Sequence, residues 1–342
     1  MSRTMKAAVV HRLGGPLAIE QVPVPTPKPG EVLVKIMASG VCHTDVHAED
    51  GDWPVRPKPP FIPGHEGAGI VAALGRGVTN LKEGDRVGIA WLHDACGACE
   101  YCVSGWETLC EHQRCTGYDV DGAFAEYAIG AAAYVARLPG ALDFVSAAPI
   151  LCAGVTTYKG IKETEARPGD WIAISGIGGL GHVAIQYARA MGLRVAALDV
   201  APDKLALAQS LGAELILDGR DAHAAAKLVE ATHGGAHGVL VTAVSPKAFG
   251  QALQLVRRKG TVSLVGLPPG NFATPIFDVV LKRITIRGSI VGTRQDLAEA
   301  LELAAAGKVR AHIHKARLDD INAVMSDLKA GKVDGRIVLD LA

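Results

Sequence analysis

The sequence predicts an α/β protein: a β-rich first region, then a doubly wound parallel sheet, with a C-terminal tail that returns to the first region. Three observations predict it. Up to about residue 150, short apolar or alternating runs are separated by Gly, Pro and Asp, the texture of strands and turns. Beyond that point strand-like runs alternate with helical runs of roughly ten residues, the texture of βαβ units. Between the first strand and first helix of this second region stands a glycine pattern, Gly176-Ile177-Gly178-Gly179-Leu180-Gly181.

Taken in order, the strand candidates of the first region are 6–10, 31–37, 68–74, 86–90 and 123–129. Pro-rich joints (Pro23, Pro25, Pro27, Pro29; Pro54, Pro57, Pro59, Pro60, Pro63) demand extended or turned chain, because proline fixes φ and removes a donor. In the second region strand 171–175 leads to helix 179–191, 194–199 to 202–211, 214–217 to 222–232, and 238–242 to 247–257. Strands 261–265 and 284–288 follow, giving six candidates, the number in a dinucleotide-binding Rossmann sheet. Two helices, 295–306 and 319–328, and a last strand, 336–341, are assigned back to the first domain. The expected domains are therefore 1–152, 153–288 and a return at 289–342.

A chain of 342 residues suits two domains at about 150 each, and needs neither disulfide nor metal merely to make up for small size. Lys+Arg (35) balance Asp+Glu (35), so the basic surplus that nucleic-acid binding requires is missing. With 49% hydrophobic and 20% charged residues, the chain is not disordered. Forty glycines, about 12% against a usual ~7%, ask for many tight turns or close backbone approaches. The apolar run 7–10 stops at His11-Arg12, so no signal peptide is expected, and stretches such as 171–188 are too rich in Gly and polar residues for a membrane span. Seven clustered cysteines in such a chain point to metal or chemistry rather than to a disulfide framework; the expectation is a cytoplasmic enzyme.

The glycine pattern follows a strand and opens a helix, as dinucleotide binding requires. Gly176 would make the tight turn, Gly178 would let a pyrophosphate approach the backbone, and Gly181 would permit close helix–strand packing, with Gly179 and Leu180 completing the loop. The helix N-terminus would offer N–H groups and a positive dipole end to the phosphates. Asp199 ends the next strand, 18 residues after Gly181; an acid there would bond the adenosine ribose hydroxyls and repel a 2′-phosphate, favouring NAD over NADP. Lys204 faces the same ribose or solvent.

Cys96-x2-Cys99-x2-Cys102-x7-Cys110 lies in turn-like sequence within a lobe of about 91–115. Two-residue gaps let successive thiolates converge, and a fourth closes a tetrahedral shell with no open position, so the site reads as structural. Zinc suits it; the spacing alone leaves an iron–sulfur centre open. Cys115 follows a full shell and reads as a non-ligand thiol. Cys42, His65 and Cys152 remain, separated by 23 and 87 residues, a weak signal on spacing alone: the two cysteines could equally be small buried hydrophobes.

The residues around them carry more. Gly64-His65-Glu66-x2-Gly69-x5-Gly75-x2-Val78 and Cys42-His43-Thr44-Asp45-Val46-His47, followed by Gly84-Asp85-Arg86-Val87, the four-cysteine lobe and the glycine loop, resemble the zinc-dependent alcohol dehydrogenases of the medium-chain dehydrogenase/reductase superfamily, over essentially the whole chain. The resemblance implies a GroES-like catalytic domain beside the Rossmann domain, and two Zn2+ per subunit. It implies that Cys42, His65 and Cys152 ligate a catalytic zinc, with Glu66 adjacent or a transient ligand and Asp45 orienting the His65 imidazole. Zinc would lower the alcohol's pKa so that an alkoxide forms near neutral pH, and hydride would pass to the nicotinamide.

By the same resemblance Thr44 accepts the alcohol proton and His47 is the terminal base, reached through the nicotinamide ribose; alone, these residues read as a turn cap and a surface imidazole. His43 and Arg336 resemble contacts to the cofactor pyrophosphate, and Thr156, Val265, Gly266 and Val291 resemble neighbours of the nicotinamide. Trp53 and Trp91 resemble the aromatic walls of the pocket in the short, yeast-like branch, which would favour small primary alcohols, although core packing would also explain them. The branch implies a homotetramer. An NADP-preferring aryl or cinnamyl alcohol dehydrogenase and a non-catalytic nucleotide-binding relative are the alternatives; Asp199 opposes the first, and the presence of Cys42, His65, Glu66 and Cys152 opposes the second.

Overall fold

The computed structural model describes residues 3–342 and divides into two compact units. Unit 1 comprises Met1–Cys152, Thr293–Ala305 and Ala311–Ala342; unit 2 comprises Ala153–Gly292 and Ala306–Arg310. The first segment of unit 1 ends at Cys152, and 289–292 and 306–310 group with unit 2.

Unit 1 is built on a seven-stranded sheet whose central strand, Glu31–Val41, is long and almost wholly buried. The strand Gly67–Leu74 pairs antiparallel on one side of it and Arg336–Asp340 on the other, with Tyr127–Ala131 also pairing to it. The tail thus returns through a β-ladder that sets Val338 opposite Gly40 and Ile337 opposite Val41. The core beside the sheet includes Val9, Val46, Phe61, Ile62, Phe124, Ile321 and Met325. The expected strand 123–129 is found later, at Tyr127–Ala131, because residues 123 and 124 bond instead to Gly64 and Pro63.

Unit 2 holds a six-stranded sheet in the order Leu215–Asp218, Arg194–Asp199, Trp171–Ser175, Ala236–Val241, Val256–Leu264, Thr285–Gly288, every neighbouring pair parallel. In chain order this is 3-2-1-4-5-6, the doubly wound dinucleotide-binding arrangement. The central strands are buried throughout, which explains their near-continuous apolar sequence. Several elements differ from expectation. The first helix begins at Gly181, since 178–180 belong to the loop. The fifth strand begins at Val256 and passes through Lys259 at φ +64. Helices Ala153–Lys162 and Ile276–Lys282 are additional.

Candidate active site and metal centres

Cys42 sits where the strand Glu31–Val41 turns into the helix His43–Asp50. The turn is fixed by Asp45, whose carboxylate accepts the Cys42 N–H at 2.8 Å. The other Asp45 oxygen accepts the Gly64 N–H at 3.1 Å and lies 2.9 Å from His65 Nδ1. One buried carboxylate therefore ties together two segments 20 residues apart and leaves His65 Nε2 as the free donor atom. Gly64, at φ +101, is required here, because a Cβ would lie 2.5 Å from Phe124 Cδ1.

Cys152 follows the short turn Ala148–Leu151 and brings its Sγ to 3.2 Å from His65 Nε2 and 4.0 Å from Cys42 Sγ. Donor atoms of Cys42, His65, Glu66 and Cys152 all lie within 4.8 Å of one another, and all four residues are buried. Thiolates at about 2.3 Å from a tetrahedral zinc would stand roughly 3.8 Å apart, so the spacing fits a metal and is far too long for a disulfide bond of about 2.05 Å. The electrostatics fit as well. Hydrogen bonding from Cys152 lowers the Cys42 thiol well below its usual range against the opposing effect of burial, whereas hydrogen bonding to Cys42 and burial raise Cys152. Burial pushes the Glu66 carboxyl up to about 7, against the pull of Arg336. Three acidic groups crowded out of water are the donor set a divalent cation relieves.

Glu66 Oε1 is paired with the guanidinium of Arg336, and both side chains are buried. Arg336, expected at a cofactor phosphate, is 4% exposed and engaged with this carboxylate, a consequence of the ladder that places the tail strand beside Glu31–Val41. Thr44 Oγ1 is 3.8 Å from Cys42 Sγ. His47, on the same helix, has Nδ1 2.9 Å from Asp52 and stacks on Trp53 at 5.1 Å. Gly51, at φ +63, ends the helix and turns Asp52 and Trp53 back towards it. His43 is exposed at the helix start, where partial desolvation lowers its pKa despite the nearby Cys42.

Trp91 packs edge-on to the His65 ring at 5.4 Å and to Trp53 at 6.3 Å. Tyr118 joins them, 5.9 Å from Trp53 and 5.7 Å from Trp91. The tryptophans thus form one aromatic wall with a candidate ligand. No spacing rule in the sequence selects Tyr118 or Asp52, which reach the site only through the fold.

The four-cysteine cluster is assembled separately, from Cys96, Cys99, Cys102 and Cys110, again with donors within 4.8 Å. Backbone N–H groups of Ala98 and Cys99 donate to Cys96 Sγ at 3.5 and 3.3 Å and lower that thiol to about 6. Cys96 and Cys102 Sγ are 3.9 Å apart. Cys115 stands outside the cluster, buried, its thiol raised to about 12 by desolvation.

In unit 2, each glycine of the loop has a distinct geometry. Gly176 is at φ +95, with a Cβ excluded by Ala243 N at 2.7 Å; Gly178 faces open space; at Gly181 a Cβ would fall on the carbonyl of Gly176. Gly179 and Leu180 lie between them, half-exposed. Asp199 accepts N–H groups from Ile177 (2.6 Å), Val200 (2.7 Å) and Ala201 (3.0 Å), so it holds the loop in place. Its carboxylate has about four acceptor sites, which leaves capacity for a hydroxyl. Lys204 is half-exposed on the following helix, Pro202–Ser210. Thr156 and Val265 are buried, and Thr156 Oγ1 lacks a hydrogen-bond partner. A Cβ at Gly266 would be blocked by the Ala243 backbone. Val291 is held at φ +39, a strained conformation for a β-branched residue.

One unit carries two metal-ready clusters and the other a dinucleotide-type sheet, which define the class as a metal-binding protein with a dinucleotide-binding fold. Comparison with known proteins carries this further. Residues 28–140 match the alcohol dehydrogenase GroES-like domain and 179–306 the zinc-binding dehydrogenase family. The chain is 64% identical to an alcohol dehydrogenase of Rhizobium meliloti (strain 1021), over 99% of both chains. It is 59% identical to one of Moraxella sp. (strain TAE123), over 98% of this chain and 99% of the relative. The solved alcohol dehydrogenase of Aeropyrum pernix superposes with a TM-score of 0.89 at 35% identity, over 98% and 99%. The chain belongs to the zinc-dependent medium-chain alcohol dehydrogenases.

Proposed function

We propose that this alcohol dehydrogenase interconverts small primary alcohols and aldehydes, using NAD and two zinc ions per chain. The observation that carries the reading is the convergence of Cys42, His65, Glu66 and Cys152 beside an aromatic wall. Cys42, His65 and Cys152 would hold the catalytic zinc, and Cys96, Cys99, Cys102 and Cys110 a structural one. When bound, zinc supplies Lewis acidity to the alcohol oxygen, and NAD accepts the hydride.

The chain's own residues do the rest. Asp45 fixes the His65 ring so that Nε2 faces the cluster. Thr44 Oγ1, beside Cys42, takes the alcohol proton, and His47 receives it. Asp52 on Nδ1 selects the His47 tautomer that offers Nε2 as acceptor. Trp53, Trp91 and Tyr118 narrow the apolar space, which supports small unbranched substrates. Asp199 sets its carboxylate where a 2′-phosphate would meet negative charge, and the loop Gly176–Gly181 supplies backbone N–H groups to the phosphates.

Two accompanying features belong to the same reading. A homotetramer is supported by the helix Ile276–Lys282, which exposes Ile276 (76%), Phe277 (79%), Val280 (68%) and Leu281 (68%) next to the edge of the sheet. A cytoplasmic location is supported by six of the seven cysteines being gathered in two metal-ready clusters rather than in a disulfide framework. Among the described residues, no single helix is long and apolar enough to cross a membrane.

Ethanol-dependent reduction of NAD and NADP, measured side by side as kcat/KM, tests the assignment. NAD is expected to be preferred, and Asp199→Gly to narrow that preference by about tenfold, roughly one lost charge repulsion. An unchanged ratio would refute the role of Asp199. Turnover only with bulky aryl alcohols would refute the small-pocket reading while leaving the dehydrogenase intact.

A further inference from the structure

Glu66 occupies a hollow that exists because residue 40 is glycine. The Gly40 N–H donates to the Glu66 carbonyl at 3.1 Å, which sets the two backbones side by side. A Cβ at position 40 would overlap Glu66 Oε2, and would lie 2.8 Å from its Cδ and 3.0 Å from its Cβ. Oε2 is buried without a hydrogen-bond partner, while Oε1 takes the buried guanidinium of Arg336. A carboxylate oxygen of the same residue is within 4.8 Å of the donor atoms of Cys42, His65 and Cys152. The carboxylate therefore lies between two sources of positive charge: the guanidinium, and the metal those three donors would hold.

We infer that Gly40 is a positioning residue, and that the hollow left by its missing Cβ is the withdrawn resting place of the Glu66 carboxylate, which keeps the metal's fourth position open. The inference rests on the catalytic-metal reading above. A catalytic zinc needs three protein ligands and one free position, whereas a fourth protein donor makes the site a closed, structural one. A buried carboxylate must be paired. In the hollow it is paired with Arg336; with the hollow filled, the remaining cation is the metal. Removing the guanidinium leads to the same result by a second route, since the carboxylate then loses its partner in the hollow.

The test uses the full-length protein with Co2+ exchanged into the Cys42/His65/Cys152 site and imidazole as the probe of the open position. Native protein should bind imidazole with a change in the visible cobalt spectrum. Gly40→Ala should weaken imidazole binding at least tenfold and alter the spectrum before imidazole is added. Arg336→Met, with the glycine intact, should shift both readouts in the same direction, and it decides the matter if Gly40→Ala does not fold. In a Glu66→Ala background Gly40→Ala should add less than a twofold effect, because the side chain it displaces is gone. An equal weakening in that background would show that Gly40 acts through backbone packing and would overturn the inference. So would an Arg336→Met protein with native spectrum and native imidazole affinity. The underlying reading fails separately: in that case Cys42→Ala would leave the cobalt–thiolate absorption unchanged.

Discussion

The two metal-ready clusters share one unit of the fold and are built in opposite ways. Cys96, Cys99, Cys102 and Cys110 come from one short lobe, are at least partly exposed except for buried Cys110, and are organised by N–H groups of their own loop. Cys42, His65, Glu66 and Cys152 come from positions spread over 110 residues, are all buried, and are organised by side chains brought from elsewhere, Asp45 and Arg336. The first has four like donors and no freedom. The second mixes thiol, imidazole and carboxylate donors, and its carboxylate is also paired with an arginine. A local, uniform cluster suits a structural role; a long-range, mixed one can leave a position for a reacting oxygen.

Substitutions should separate the two. The largest effect is expected from Cys42→Ala: about a thousandfold loss of turnover, since Lewis-acid assistance supplies several kcal/mol, with the metal count falling from two to one. Steady-state rates and elemental analysis on one sample check this; full turnover with one metal would erase the distinction. Asp45→Asn should lower metal affinity of the second cluster by roughly 10–100-fold, as loss of a carboxylate partner to a ligating imidazole does elsewhere. Competition with a chromophoric chelator measures it, and an equal loss at the four-cysteine lobe would argue against a site-specific effect.

Cys99→Ser should act the other way round, lowering Tm by roughly 5–10 °C while turnover at low temperature stays within about twofold. A fully stable variant retaining one metal would contradict the structural assignment. The smallest effect is expected from His47→Gln, a few-fold fall in turnover that is greatest at low pH, where solvent is the poorest alternative proton acceptor. An unchanged pH–rate profile would remove His47 from the proton path.

The same contrast explains what was legible in the sequence. Four cysteines within fifteen residues can be read from spacing, because a local loop alone decides where they go. The Rossmann sheet was legible because its buried strands are continuously apolar and its glycines each meet a local steric demand. The second cluster was not: its donors meet only through a β-ladder and an Asp45 bridge, and family resemblance alone singled them out. Arg336 shows the limit most clearly, since only pairing of the tail strand with Glu31–Val41 sets it against Glu66. Helix His43–Asp50 was missed for a related reason. It carries no apolar stripe and is fixed by Asp45 at one end and Gly51 at the other. Helix Ala153–Lys162 is rich in Gly and Thr, poor helix formers, and is held by burial of nearly every residue.

The most direct test of the central claim is to count zinc per chain on the same preparation in which ethanol-dependent NAD reduction is measured. The account predicts two zinc ions per chain, with turnover lost in proportion as the second is removed by a chelator. Undiminished turnover with one zinc, held by the four-cysteine lobe, would contradict it.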